Sequence, residues 1–364
     1  MATVKDIIDL LEQVAPPALQ ESYDNAGIQV GEVSPAVTGV LLCLDVTEAI
    51  VDEAIALGAN LIVSHHPLLF KGLKRVTGNT YIERVVMKAL RGGISIYAAH
   101  TNLDATLVNR YWAHMLGLVD VEILQPATSM LVKMVVYVPC EHTEQLRQLL
   151  CEAGAGSIGN YDCCSYVMRG EGAFRPGEEA HPYCGEAGVL HREPEDRVEV
   201  ILPRYKLGKV LQTMLAAHPY EEPAYDIIPL DNEWHAAGSG VIGNLPQECD
   251  AMDFLRRVKQ AMGCESIRHT AQNHSKIKRV ALCGGAGGFL ADAACRGNAQ
   301  LFITGEMGGY HHFHEYAGRL IVAEIGHYES EKHTKEIFYD VIRKKFSTFA
   351  IHLSKVESNP IKYL

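Results

Sequence analysis

The sequence predicts an α/β protein: a three-layer α/β/α domain, discontinuous in sequence, that carries an inserted ferredoxin-like α+β domain. Two observations lead there. Apolar runs of strand length alternate with helix-like segments at both ends of the chain, and strands that are apolar at every position are buried on both faces. The middle of the chain instead reads strand, helix, two strands, helix, strand, a pattern complete in itself. With 364 residues, 48% hydrophobic and 21% charged, the composition is that of a folded chain, long enough at roughly 150 residues per domain for two or three cores.

The first segment, MATVKDIIDLLEQV, reads as a helix with charges at Lys5, Asp6, Asp9 and Glu12. Strand runs follow at Val40 to Leu44, Leu61 to Val63 and Ile94 to Ala98, separated by helices at Glu48 to Leu57 and Tyr81 to Leu90. The middle pattern consists of strand Leu131 to Val138, helix Glu141 to Ala153, one or two strands around Asp162 to Met168, a Gly- and Pro-rich stretch, strand Arg197 to Leu202, helix Leu207 to Ala217 and strand Ala224 to Leu230. Pro126 and the Pro229 to Asn232 turn mark its limits. The outer domain is therefore 1–127 with 232–364, and the insert 128–231. Strand runs resume at Lys278 to Leu282, Leu301 to Ile303 and Leu320 to Val322.

A formal charge of −11 argues against a nucleic-acid surface as the main function, because phosphate binding depends on Lys and Arg. No stretch approaches the ~20 apolar residues of a membrane span, and the charged N-terminal helix is unlike a signal peptide, so a cytoplasmic protein is expected. Ten cysteines without a C-x-x-C pair signal neither a disulfide framework nor a cysteine zinc module; buried reduced thiols are expected.

The strand run Ala59 to Ser64 leads directly into His65-His66-Pro67. Ligands of open α/β sheets collect beyond the carboxyl ends of strands, and Pro67 breaks the strand so that both imidazoles can turn inward. They read equally as metal ligands or as hydrogen-bonding structural histidines. Strand Ile94 to Ala98 is followed by His100-Thr101-Asn102-Leu103-Asp104, which alone is ordinary turn and cap chemistry. Strand Leu320 to Ile325 leads into Gly326-His-Tyr-Glu-Ser-Glu331, where His327 and Glu331 share a face if a helix opens there. Such a pair offers a metal one nitrogen and one carboxylate; its duller reading is a solvated first turn. A fourth strand, Leu301 to Thr304, ends in Gly305-Glu306 and leads into Tyr310-His311-His312-Phe313-His314.

Four strand ends of one polar kind favour a shared site at one edge of the sheet. His65, His66, Asp104, His327 and Glu331 suit a two-metal centre with open positions, of the kind that activates water in hydrolysis. Asp104 is the carboxylate expected to bridge. Imidazole and carboxylate suit two divalent ions, zinc first, with iron, manganese, cobalt or nickel compatible. Glu306 and His311 are candidates for catalytic contact with substrate; a surface helix rich in histidine is the plain alternative for the His311 to His314 cluster. The loop Cys283-Gly-Gly-Ala-Gly-Gly288 reads either as a phosphate cradle or, by default, as a tight strand-to-helix turn.

The segments Tyr23-Asp-Asn-Ala-Gly-Ile-Gln-Val-Gly31, Ser64-His-His-Pro-Leu-Leu-Phe70, Ala99-His-Thr-Asn-Leu-Asp104, Leu301-Phe-Ile-Thr-Gly-Glu306 and Gly326-His-Tyr-Glu-Ser-Glu331 resemble the ordered motifs of the Nif-three-like (NGG-one-interacting-factor-three-like) family. Its members are often labelled GTP cyclohydrolase I type 2 homologue. The middle segment, with Gly154-Ala-Gly-Ser-Ile-Gly-Asn-Tyr161 and Ala217-His-Pro-Tyr-Glu-Glu-Pro-Ala-Tyr225, resembles the PII/CutA-like insert of the longer members. The resemblance implies a dinuclear metal centre on the same five residues and a ring-shaped homohexamer of stacked trimers whose sites face an internal cavity. Glu306 stands where the family usually has aspartate, Met307-Gly308 lack its lysine, and the glycine loop lacks its serine. Two functions stay open: a metal-dependent hydrolase of a small phosphorylated or nucleotide-like molecule, and a non-catalytic metal-binding or regulatory protein whose insert senses a ligand or gates the cavity. No nucleic-acid or membrane partner is expected.

Overall fold

The computed structural model describes residues 1–271, 275–347 and 349–364. The chain forms two compact units, residues 1–125 with 237–364, and residues 126–236.

The larger unit contains two sheets rather than the single one suggested by the strand runs. In the first, the order is Gly27–Val30, Ser95–Ala98, Leu61–Ser64, Gly39–Cys43, Ala350–Leu353. All neighbours are parallel except the antiparallel edge strand Gly27–Val30. Alternate side chains point to opposite faces. Val40 and Leu42 pack with Ile7, Leu11 and Phe338 of helices Val4–Val14 and Thr334–Lys345. Leu41 and Cys43 pack with Ile50, Ala54 and Val85 of helices Glu48–Leu57 and Tyr81–Arg91. Burial on both faces explains why these strands read as unbroken apolar runs.

The second sheet runs Arg268–His269, Ile321–Glu324, Leu301–Thr304, Lys276–Cys283, Trp234–Asp250, Val119–Ala127. Its three central strands are parallel, and the 17-residue strand Trp234–Asp250 joins them antiparallel. Val280, Leu301 and Ile303 meet Phe254 and Val258 of helix Ala251–Met262 on one face, while Phe302 and Val322 meet Leu290 and Ala294 on the other. Asp250 caps that helix by accepting from Met252 and Asp253 N–H at 2.9 and 3.1 Å.

The smaller unit is a four-stranded antiparallel sheet ordered Ser165–Phe174, His191–Pro203, Leu131–Pro139, Tyr225–Leu230. Helices Thr143–Glu152 and Leu207–Ala217 cover one face, packing Leu146, Leu150, Val210 and Met214 on Val132, Val136, Val198 and Val200. This is the ferredoxin-like arrangement. Its hairpin strands extend into the Gly/Pro-rich stretch, leaving residues 175–190 as the connection. The expectation of reduced thiols fails at one place, where Cys151 and Cys163 are joined as a disulfide across a turn. The turn after helix Thr143–Glu152 folds Cys163 back onto Cys151, and no sequence spacing announces such a pair.

Candidate metal centre

All five ligand candidates come together inside the larger unit, from the carboxyl ends of both sheets. Strand Leu61–Ser64 delivers His65 and His66. Asp104 follows strand Ser95–Ala98 through the short helix Thr101–Leu103, at the start of a π-helical turn, Asp104–Val108, that re-aims the side chain. His327 and Glu331 stand one turn apart on helix His327–Glu331, directly beyond strand Ile321–Glu324, with His327 Nε2 3.1 Å from Glu331 Oε2.

Two triads result. One nitrogen or oxygen each from His65, Asp104 and Glu331 lie within 4.8 Å of one another, as do those from His66, His327 and Glu331. Glu331 belongs to both and divides its oxygens between them: Oε1 is 3.8 Å from His65 Nε2, and Oε2 is 2.9 Å from His66 Nε2. Glu331 is thus the carboxylate shared by the two triads, and Asp104 Oδ1 lies 3.6 Å from His65 Nε2.

The groups fit divalent ions on two counts. His65 Nε2 and Asp104 Oδ1 are buried without a hydrogen-bond partner, which is costly for a polar atom unless something else binds it. His65 is fully buried and its Nδ1 lies 3.0 Å from the Ala99 carbonyl, so Nδ1 carries the proton and the Nε2 lone pair faces the carboxylates. Burial lowers His65 to about 4, keeping it neutral. Burial opposes charge on His66 as well, but hydrogen bonds to Asp45 and Glu331 raise it to about 10. Without bound cations, an imidazolium therefore balances Glu331. Burial and the Glu331 charge push Asp104 well above its ordinary value. Burial opposes ionisation of Glu331, but hydrogen bonds from His327 and His66 hold it well below its own value.

Asp45, Ser358 and Asp24 support the centre and were not selected from the sequence, whereas His100 was among the polar residues read after strand Ile94 to Ala98. Asp45 Oδ1 is 2.7 Å from His66 Nδ1, with Ser358 Oγ donating to its other oxygen at 2.7 Å. Asp24 accepts from His100 Nδ1 at 2.8 Å. The His100 ring lies 5.1 Å from His65 and 5.4 Å from His66. Asp45 follows strand Gly39–Cys43, so the strand-end rule reaches it; Asp24 follows no strand.

Glu306 reaches the centre through His327, its Oε1 3.2 Å from Nδ1. His311 does not: it is exposed, and its ring lies 3.9 Å from that of His312 on helix Tyr310–Tyr316. The glycine loop is a tight turn in which three glycine N–H groups are committed to side chains. Gly284 donates to Asn109, Gly285 to Ser330 and Gly287 to Thr304, at 2.9, 3.0 and 3.0 Å. Gly285 has φ +60°, and a Cβ there would strike Glu331 Oε1, so this glycine makes room for the shared carboxylate.

A family model described as Duf34/NIF3 (NGG1p interacting factor 3) matches residues 2–360. The chain belongs to the DUF34/NIF3 family. It is 37% identical to the "GTP cyclohydrolase 1 type 2 homolog" of Halalkalibacterium halodurans over 100% of both chains. It is 36% identical to the protein of the same label from Bacillus subtilis, over 99% of this chain and 98% of the other. The crystal structure of a Bacillus cereus protein related to NIF3 aligns with 100% of this chain and 99% of its own, with a TM-score of 0.86 and 36% identity. Among the described residues of this DUF34/NIF3 chain, no helix is long and apolar enough to cross a membrane.

Proposed function

We propose that this protein holds two divalent metal ions, zinc foremost, on His65, His66, Asp104, His327 and Glu331, and hydrolyses a small phosphorylated or nucleotide-like molecule. The observation that carries the reading is Glu331, buried at 2% exposure with one oxygen toward each of two His-containing triads. When bound, a pair of divalent ions supplies Lewis acidity to a phosphoryl oxygen and to water.

The chain's own residues supply position and proton handling. Asp45 fixes the ring of His66, and the Ala99 carbonyl fixes that of His65. His100, oriented by Asp24, brings a ring nitrogen within 4.8 Å of those of His65 and His66, which suits it to hold or move a proton or to take a coordination position beside the two triads. Glu306, half exposed and paired with His327, is the candidate for contact with substrate. Self-association into a hexamer accompanies this proposal, to be read from the mass in solution.

The test is turnover of p-nitrophenyl phosphate, bis-p-nitrophenyl phosphate and a nucleotide panel by metal-analysed protein. Activity lost with chelator, restored by zinc and absent from Asp104→Ala is the expected result. Fully metal-loaded protein that converts none of these would sink the hydrolase reading.

A further inference from the structure

The insert contains a cavity of about 540 Å³ lined by its own residues alone, within the range of small-ligand sites. It lies among the hairpin strands Ser165–Phe174 and His191–Pro203, the connection 175–190 and the segment 220–224. Connections this long inside a compact domain are usually functional, and this one is tied down. The His181 N–H donates to Glu221 at 2.9 Å and the Tyr183 hydroxyl to Glu141 at 2.7 Å.

The walls are aromatic. Phe174 and Tyr183 place their rings 5.8 and 6.1 Å from that of Tyr220. Between them stands Glu195, only 8% exposed, with the Tyr220 hydroxyl donating to its Oε1 at 2.8 Å. Burial and Glu195 push the Tyr220 phenol up, so it remains a donor. Gly172 faces this carboxylate, and a Cβ there would collide with it; the missing side chain leaves Glu195 its space.

Charges in the lining do not cancel at this carboxylate. Arg169 is matched by Asp196 at 3.2 Å, Arg197 shares Glu199 with Lys133 at 2.8 and 2.6 Å, and Glu171 is matched by Arg192 at 2.6 Å. Among the described residues, no Lys, Arg or His stands within ion-pair distance of Glu195, and Glu221 and Glu222 add negative charge to the same lining. A buried carboxylate lacking a cation, enclosed by ring faces, is the chemistry that recognises an organic cation.

We infer that the insert binds a small organic cation with a flat apolar body, its charge on Glu195 and its body among Phe174, Tyr183 and Tyr220. This inference stands apart from the candidate metal centre, which contributes none of these residues.

The test is calorimetric titration of the full chain, in its assembled state, with benzamidine and with benzamide, its neutral counterpart. Benzamidine is expected to bind about tenfold or more tighter than benzamide, the difference an unpaired buried carboxylate would make. Glu195→Gln should bring benzamidine down to the benzamide level, and Phe174→Ala should weaken both. Binding should be unchanged in Glu331→Ala, which separates this site from the metal centre. Equal binding of the two probes, binding indifferent to Glu195→Gln, or no benzamidine binding because a second copy fills the cavity would each overturn it. If Glu195→Gln does not fold, Tyr220→Phe keeps the ring and frees Glu195 of its donor. It must then bind benzamidine at least as tightly as the wild type, and weaker binding overturns the inference.

Discussion

The outer α/β unit and the insert place their ionisable groups by opposite rules. Strands Gly39–Cys43, Leu61–Ser64 and Ser95–Ala98 are buried at every position, so a charge has no place along them. His65, His66, Asp104, His327 and Glu331 accordingly all follow strand ends. In the insert, helices cover one face only. Val198 and Val200 point toward them, while Glu195, Arg197 and Glu199 alternate onto the other face of the same strand. The way a sheet is covered decides whether its chemistry sits at the strand ends or on the sheet face.

Four measurements would break or sharpen that contrast. The largest effects belong to the cores. Leu61→Ala and Leu150→Ala, both fully buried, should each cost about 2–5 kcal/mol in denaturant unfolding. Leu61→Ala should also lower metal content, whereas Leu150→Ala should leave it unchanged. Loss of metal on damage to the insert alone would dissolve the distinction between the units.

Next comes the sign of Asp104→Asn. With zinc present the variant should melt lower than the wild type, because a ligand is gone. With chelator it should melt a few degrees higher, because a buried carboxylate no longer faces Glu331. A variant equally destabilised in both conditions would make Asp104 a turn or cap residue.

Asp24 gives a pH-dependent case. Burial opposes its ionisation, yet hydrogen bonds from His100 and Thr101 lower it to about 2. A depressed carboxylate contributes stability that is complete above its unfolded value near 4 and is lost as pH falls toward 2. Asp24→Asn should therefore cost about 1–3 kcal/mol at pH 6, shrinking toward zero below pH 3 in paired urea titrations. A penalty that does not change with pH would remove the ionic part of the His100 support. The smallest effect is at Lys5, exposed and paired with Asp9 at 2.6 Å on one helix. Lys5→Ala should cost no more than about 0.5 kcal/mol.

Much of this was legible in the sequence, for physical reasons visible at particular residues. Strands buried on both faces announce themselves as apolar runs, and the five candidates announced themselves by following those runs. Strand Trp234–Asp250 did not, because Gly238, Gly240 and Gly243 weaken its own preference and its pairing with Lys276–Cys283 decides its conformation. Val119–Ala127 hid behind Asp120 and Glu122. The second sheet was not separable from the first, since periodicity reports burial and not which strands are neighbours. Asp24 was illegible as a support because it depends on His100, 76 positions away. The choice of Glu331 over Asp104 as the shared carboxylate depends on which oxygen faces which histidine, a matter of packing.

The central claim is that Glu331 is shared by two cation positions. Its most direct test is the metal content, per chain, of wild-type protein and Glu331→Ala after purification without added metal, with circular dichroism to verify that both are folded. Two divalent ions in the wild type and fewer than one in the variant are the predicted values. A folded variant that keeps both ions, or a wild type that takes up none even after zinc is supplied and excess is removed, would contradict it.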